Sequence, residues 1–118
     1  MEAPALDPAV LDSLRQLTPP GEPDVLAEVF QLFLADVPAR IDRLRSAWQA
    51  GDAVTVQRAA HSLKGSAGNI GATQLSAVCS RLDELGRMGD LSALAPLVAS
   101  LEAEYGRVEA EISRLMKV

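Results

Sequence analysis

The sequence predicts an all-α fold, in the form of an antiparallel four-helix bundle with a short additional N-terminal helix. Its composition favours helices, because only 3% of the residues are aromatic and β-branched residues are sparse beside Ala and Leu. Apolar residues recur at every third or fourth position, which is the spacing of one helix face. Short turns with Gly, Pro and capping Asp separate the segments, and short connections favour antiparallel neighbours.

The first segment predicts a short helix that closes one end of the bundle. Asp7 and Pro8 suit an N-cap followed by proline at the first helical position. The stretch "TPPGEP", residues 18–23, then predicts a turn, because proline and glycine both oppose helix there. The short apolar stripe of this helix consists of Val10, Leu11, Leu14 and Leu17.

The second segment, roughly Asp24 to Ala50, predicts a long helix with one irregularity. Pro38 lies inside it, removes one backbone hydrogen bond and crowds the carbonyl of Leu34, so we expect a kink or a local break. Gly51 then suits the end of this helix. The apolar face is formed by Leu26, Phe30, Phe33, Val37, Ile41, Leu44 and Trp48.

Three further helices follow. The third is predicted from Ala53 to Asn69, with Asp52 as its N-cap, and the fourth from about Thr73 to Met88. Gly89 and Asp90 repeat the stop-and-cap signal before the last helix, whose start Pro96 could shift. The apolar faces of the last two helices consist of Leu75, Val78, Cys79, Leu82 and Leu85, and of Leu94, Val98, Leu101, Tyr105, Val108, Ile112 and Leu115.

Length and composition limit the possible functions. The 118 residues suit one domain, residues 1–118, and a formal net charge of −5 opposes nucleic-acid binding. No run of 18 apolar residues predicts a membrane span, and the N-terminus lacks the pattern of a secretory signal, so a cytoplasmic location is expected. Cys79 and His61 are each the only residue of their type, which excludes a disulfide within the chain and any multi-cysteine metal site.

The stretch "AAHSLKGSAGNIGATQ", residues 59–74, contains the histidine. On a helical wheel of about 100° per residue, His61 lies opposite the core stripe. This direction disfavours a histidine buried in the core, but a surface histidine without a role stays open. The core stripe is formed by Val56, Ala59, Leu63, Ala67 and Ile70.

Two glycines share the face of His61. Gly65 lies one turn beyond it and Gly68 nearly two, so their missing side chains predict a shallow trough beside the imidazole. Glycine that serves close helix packing would lie on the core side instead. A third glycine, Gly71, is explained by a helix C-cap.

Polar residues around His61 could handle phosphate. Lys64 leans back toward the ring, because helical side chains point toward the N-terminus, and its ammonium could neutralise phosphoryl oxygens. Gln57 and Arg58, one turn before His61, could donate to phosphate or orient the imidazole. All three also fit an ordinary solvated surface.

Several other kinds of site are excluded. The order Lys64-Gly65-Ser66 inside a helix is not a phosphate-binding loop, and neither a dinucleotide fingerprint nor a zinc-binding H-E-x-x-H is present. Ser62 diverges from His61 by about 100° and cannot pair with it for hydrolysis. An exposed imidazole can still act as a nucleophile that carries a phosphoryl group. Because no acidic cluster for Mg²⁺ is evident near His61, a partner should supply that ion.

These residues resemble the signature of histidine-containing phosphotransfer (HPt) domains of bacterial phosphorelays, which centre on H-x-L-K-G-x-[SA]. The resemblance extends to "LAEVFQLFLADVPARIDRL", "QAGDAVTVQRAAHSLKG" and "SRLDELGRMGDL", and covers about residues 26–109. No key position departs from the family pattern.

The resemblance implies that His61 is phosphorylated on the ring nitrogen farther from the backbone. It implies that Lys64 contacts the phosphoryl group, that Gly65 leaves room for the partner, and, more weakly, that Gln57 is a polar neighbour of the ring. The implied partners are response-regulator receiver domains, which dock on the second and third helices and carry the Mg²⁺ site, and a hybrid histidine kinase.

The expected protein is thus a monomeric phosphocarrier that is no enzyme by itself and binds no cofactor of its own. The alternative is a helical adaptor that is not phosphorylated and regulates a receiver or kinase sterically. An autonomous enzyme is a distant third possibility, because nothing beside His61 completes a hydrolytic site.

Overall fold

The computed structural model describes residues 3–116, and that range contains five helices and no strand. The all-α prediction is therefore confirmed, with the short N-terminal helix in place. No helix within the described range has the apolar length needed to cross a bilayer. In chain order the helices are α1 (Pro8–Arg15), α2 (Val25–Gln49), α3 (Ala53–Asn69), α4 (Thr73–Met88) and α5 (Leu94–Met116).

Aspartate side chains fix the start of the first three helices. Asp7 accepts a hydrogen bond from the Ala9 backbone N–H at 2.9 Å, and Asp24 accepts one from that of Leu26 at 2.9 Å. Asp52 does the same for Thr55 at 3.1 Å. Each bond satisfies a backbone N–H that has no acceptor inside its own helix. The predicted N-caps Asp7 and Asp52 are thus confirmed. The cap predicted at Asp90 is wrong, because Asp90 accepts from the Ser92 backbone N–H within the turn and α5 begins only at Leu94.

Glycines in the left-handed region end three helices. Gly51, Gly71 and Gly89 follow α2, α3 and α4 with φ values of 73°, 75° and 74°. A residue with a Cβ is strained in this conformation, so glycine reverses the chain at low cost. These three turns allow each helix to fold back beside the one before it.

Helices α2 to α5 form the bundle, in which α3 packs between α2 and α4, and α5 closes the bundle against α4 and α2. The core confirms most of the predicted stripes, but Leu17 is exposed, because α1 ends at Arg15. The stripe residues that are only partly buried are Val10, Leu14, Trp48, Val78, Leu85, Tyr105 and Leu115. The largest fully buried side chains are Phe30, Val37, Leu44, Val56, Leu63, Ile70, Leu75, Leu82, Leu94, Leu101, Val108 and Ile112.

The two prolines inside helices have little effect on the helix boundaries. Helix α2 continues through Pro38, so the expected local break is absent, because the bundle buries Val37 and Ile41 on either side of it. Packing against the core therefore outweighs the lost backbone bond. Pro96 is the third residue of α5, where a backbone N–H has no acceptor in the helix, so proline is tolerated.

Helix α1 covers the turn between α3 and α4. The Asp7 backbone N–H donates to the Gly71 carbonyl at 2.8 Å. A Cβ atom at Gly71 would lie 2.9 Å from Cβ of Val10, which means that α1 packs directly on this glycine. The short helix therefore closes one end of the bundle, as predicted.

Helices α3 and α4 approach each other most closely at Gly86. A Cβ atom there would lie 2.8 Å from the backbone nitrogen and 2.9 Å from the Cα of Gln57. Gly86 is buried, so its missing side chain brings the two backbones together one turn before His61. This core-facing glycine contrasts with Gly65 and Gly68.

We predict that Gly86→Ala destabilises the protein by about 1–3 kcal/mol, because the added methyl group meets backbone rather than a side chain that could move. Gly106→Ala is the matched control, since its Cβ would meet nothing within 4 Å. Because alanine favours a helix more than glycine does, Gly106→Ala in α5 should stabilise the protein by about 0.5–1 kcal/mol. Urea unfolding followed by circular dichroism measures both, and equal stability of the two variants would contradict the close contact.

Candidate functional site

His61 lies on the outer face of α3, as the helical wheel predicts. Its side chain is 65% exposed, whereas the core stripe on the opposite face is buried. The ring is therefore accessible to another protein while its helix stays anchored in the bundle. A core histidine is excluded.

The glycines beside His61 leave open space. At Gly65 and at Gly68 an added Cβ would meet nothing within 4 Å, and both residues are exposed. Close helix packing therefore does not explain either of them. The two glycines and His61 form one continuous surface, which we call the glycine trough.

A buried carboxylate holds the inner nitrogen of the ring. Asp83 of α4 is only 5% exposed in its side chain, and its Oδ2 lies 3.1 Å from Nδ1 of His61. Its other oxygen, Oδ1, accepts hydrogen bonds from Nε2 of Gln57 at 2.8 Å and from Arg87 at 3.2 Å. Four side chains from two helices thus form one polar network under the exposed ring.

The network fixes both the charge of Asp83 and the tautomer of His61. Burial acts to raise the pKa of Asp83, but the hydrogen bonds from Gln57 and His61 and the charge of Arg87 outweigh it, so this pKa lies below its ordinary value. An ionised carboxylate only accepts hydrogen bonds, so Nδ1 of His61 must be the donor. The exposed Nε2 therefore keeps its lone pair in the neutral ring and is available as a nucleophile.

The sequence analysis missed Asp83, although a signal for it exists. Asp83 follows Leu75 and Cys79 at four-residue spacing, so it occupies a position on the apolar face of α4. A charged residue there is rarely buried unless it has partners. The expectation that no carboxylate cluster lies near His61 needs refinement, because one carboxylate contacts the ring itself.

The other predicted residues differ in how closely they join the site. Gln57 binds Asp83, so it orients the imidazole through the carboxylate and not directly. Lys64 is half-buried, and within residues 3–116 its ammonium forms no hydrogen bond or ion pair that would occupy it. Arg58 is exposed and its charge acts on Asp52 at the start of α3, so the structure does not bring it to the ring.

A groove adjoins the glycine trough on the side of α2. It has a volume of about 420 Å³, and Leu32 beside it is 70% exposed. Arg40 of α2 pairs with Asp36 at 2.9 Å and donates to the hydroxyl of Ser62, so a fixed cation lies near its edge. The residues that line the groove are Leu14, Val29, Leu32, Phe33, Asp36, Val37, Ser66, Asn69 and Ile70.

Neither a metal-ligand cluster nor a reactive cysteine occurs in the part of the chain that the structure describes. Three or more His, Cys, Asp or Glu side chains with metal-binding geometry do not meet anywhere within residues 3–116. Cys79 is buried, and burial raises its pKa to about 12, so its thiol stays protonated. His61 is therefore the reactive group that the described residues offer.

Comparisons with known proteins agree with this geometry. The family model of the Hpt domain matches residues 28–114. The crystal structure of histidine-containing phosphotransfer protein B (HptB) from Pseudomonas aeruginosa PAO1 is similar, with a TM-score of 0.86 and 34% sequence identity. The similarity covers 96% of this chain and 95% of that one. No curated protein sequence matches the chain.

Three observations lead to the same conclusion. The family model matches most of the chain, the fold is shared at 34% sequence identity, and the ring of one exposed histidine contacts a buried carboxylate. The chain belongs to the Hpt domain family and is a histidine phosphotransfer protein of a phosphorelay.

Proposed function

We propose that Nε2 of His61 accepts a phosphoryl group from an aspartyl phosphate of one receiver domain and passes it to the aspartate of another. The observation that supports this most directly is the contact of 3.1 Å between Asp83 and Nδ1, which directs the lone pair of the exposed ring toward solvent. No other histidine exists in the chain.

The transfer requires little chemistry from this protein beyond positioning and charge. Nε2 attacks phosphorus, the bond from phosphorus to the aspartyl oxygen breaks, and the carboxylate leaves with the electron pair. Lys64, whose ammonium is not occupied by a partner within residues 3–116, would approach the phosphoryl oxygens. Mg²⁺ held by the receiver would neutralise the remaining charge, since no cluster of three or more His, Cys, Asp or Glu side chains that could hold a metal occurs within residues 3–116.

The receiver would dock over the glycine trough and the adjoining groove of α2 and α3. Both surfaces lie on one side of the bundle, and Ser66 and Asn69 on α3 connect them. The groove combines apolar side chains such as Leu32 with a polar rim, which is the usual composition of a protein–protein contact. Arg58 and Gly68 lie on this outer side of α3 and would belong to its edge.

A helical adaptor that is not phosphorylated is the second candidate. It explains the apolar groove but gives no reason for a buried carboxylate directed at the ring of an exposed histidine. Burying a charge is costly unless it has partners, so a purely steric regulator would gain nothing from Asp83. We therefore prefer the phosphocarrier.

The proposal extends to the phosphoryl donor, the oligomeric state and the location of the chain. A hybrid histidine kinase would supply the phosphoryl group through its receiver domain, and the chain would act as a monomer in the cytoplasm. As a phosphotransfer intermediate it would catalyse no reaction without its partners. The direction of net flow depends on which receivers it meets.

The first prediction concerns the phosphoacceptor. Incubation with a phosphorylated cognate receiver should transfer the label to the wild-type chain, and His61→Gln should abolish the transfer because no other histidine is present. The label should be lost in acid and survive base, as a phosphoramidate does. Label that persists in His61→Gln would refute the assignment, and receiver binding without transfer in wild type would favour the adaptor.

The second prediction separates stability from function in the glycine trough. Gly65→Ala and Gly68→Ala should each stabilise the fold by about 0.5–1 kcal/mol, since the methyl group enters open space in a helix. Gly65→Ala should nevertheless slow transfer ~10-fold or more, because it displaces the receiver from the ring. Gly106→Ala on α5 should stabilise equally and leave the rate unchanged. A stabilised Gly65→Ala with normal transfer would show that the trough does not matter.

The third prediction concerns the groove. Leu32→Glu should weaken receiver binding ~10-fold or more, because a charge replaces an exposed apolar contact at an interface. Met116→Glu introduces the same charge at the end of α5, away from α3, and should bind normally. Isothermal titration calorimetry with the cognate receiver compares the two. Equal loss in both would indicate a general charge effect.

A further inference from the structure

We infer that Asp83 is a positioning residue that keeps the proton on Nδ1 of His61 after Nε2 has been phosphorylated. The phosphorylated ring then remains an imidazolium, which is the form that releases its phosphoryl group readily. This inference rests on the proposed function, and it adds a device that sets how reactive the carried group is.

The two carboxylate oxygens of Asp83 have different hydrogen-bond partners. Oδ1 accepts from Gln57 and from Arg87, whereas the described residues place only His61 on Oδ2. The carboxylate is therefore held in one orientation whether or not the ring is charged. Asp83 is buried while the ring is 65% exposed, so water screens their attraction in part and the direct hydrogen bond carries it.

The charges that face His61 from neighbouring helices identify Asp83 as the stabilising group. From α3 come the cation Lys64 and the neutral Gln57, whereas the charge of Arg58 acts on Asp52. From α2, Arg40 reaches the adjacent Ser62 but is already paired with Asp36. From α4 comes Arg87, which is 69% exposed and bound to Asp83. Helix α5 packs mainly on α4 and α2.

All the cations in this set oppose a positive ring, so the contact with Asp83 at 3.1 Å must account for any stabilisation of the imidazolium. In general, a carboxylate within about 4–6 Å of a group that can become cationic raises the pKa of that group by about 1–3 units. This contact is a direct hydrogen bond from Nδ1 to the carboxylate, so it favours the cationic form of the phosphorylated ring.

The proton balance of the transfer follows from this contact. Before transfer the neutral ring carries one proton, on Nδ1, and Nε2 attacks phosphorus while the aspartyl oxygen leaves with its electron pair. The product carries phosphorus on Nε2 and the same proton on Nδ1, so the ring is cationic and no proton is released. In the onward step the bond from Nε2 to phosphorus breaks and its electron pair stays on Nε2. A neutral imidazole leaves, which is a far better leaving group than an imidazolate anion.

The test uses the phosphorylated chain without a receiver. Phosphoramidate, a small phosphoryl donor, loads histidine directly, and hydrolysis of phospho-His61 is then followed from pH 5 to pH 10. We expect the hydrolysis rate to fall as the pH rises, because the ring loses its proton. In Asp83→Asn this fall should begin ~1–3 pH units below the pH at which it begins in wild type. Glu84→Gln is the matched control, because it removes one exposed carboxylate from the next position of α4 and should follow wild type.

A second measurement does not depend on any variant. In phosphorylated wild type, ¹⁵N NMR of the imidazole should show Nδ1 protonated at pH 8. An unprotonated Nδ1 at that pH, or coincident hydrolysis profiles for wild type and Asp83→Asn, would overturn the inference. Failure of receivers to label His61 would instead refute the proposed function, and the phosphoramidate experiment would remain interpretable.

Discussion

The close approach of α3 and α4 is the constraint on which the site depends. Gly86 has no side chain, so the backbone of Gln57 can lie against it. One turn along both helices, the same approach places the buried carboxylate of Asp83 under the imidazole of His61. Without this short separation Asp83 would lie too far from the ring, and a buried charge would have lost a partner. Packing and chemistry are therefore set by one contact.

The two faces of α3 have different roles. The inner face buries Val56, Leu63 and Ala67 and contributes to stability. The outer face holds His61 and two glycines that reduce helix propensity for the sake of access. A helix can sacrifice propensity in this way because most of its stability comes from tertiary packing. Packing of the inner face thus stabilises a helix whose outer face presents an accessible nucleophile.

Much of this arrangement could be predicted from the sequence, because it follows from periodicity and capping. The direction of His61, the outward glycines and the aspartate N-caps depend on spacing within one helix. Asp83 could not be placed in the same way, since its contact depends on how two helices are rotated against each other. Its position on the apolar face of α4 indicated burial but not its partner. Of the kink or local break expected at Pro38, the break is absent, because packing on both sides of the proline maintains the helix.

The carbonyl of Gly71 accepts a hydrogen bond from Asp7, and this feature links the mobility of the site to a distant part of the chain. The second half of α3 contains Gly65 and Gly68, which lower its helix propensity. Helix α1 covers its C-terminal end, so opening of that end requires α1 to detach as well. The surface offered to a receiver is consequently kept in order by a segment outside the four-helix bundle.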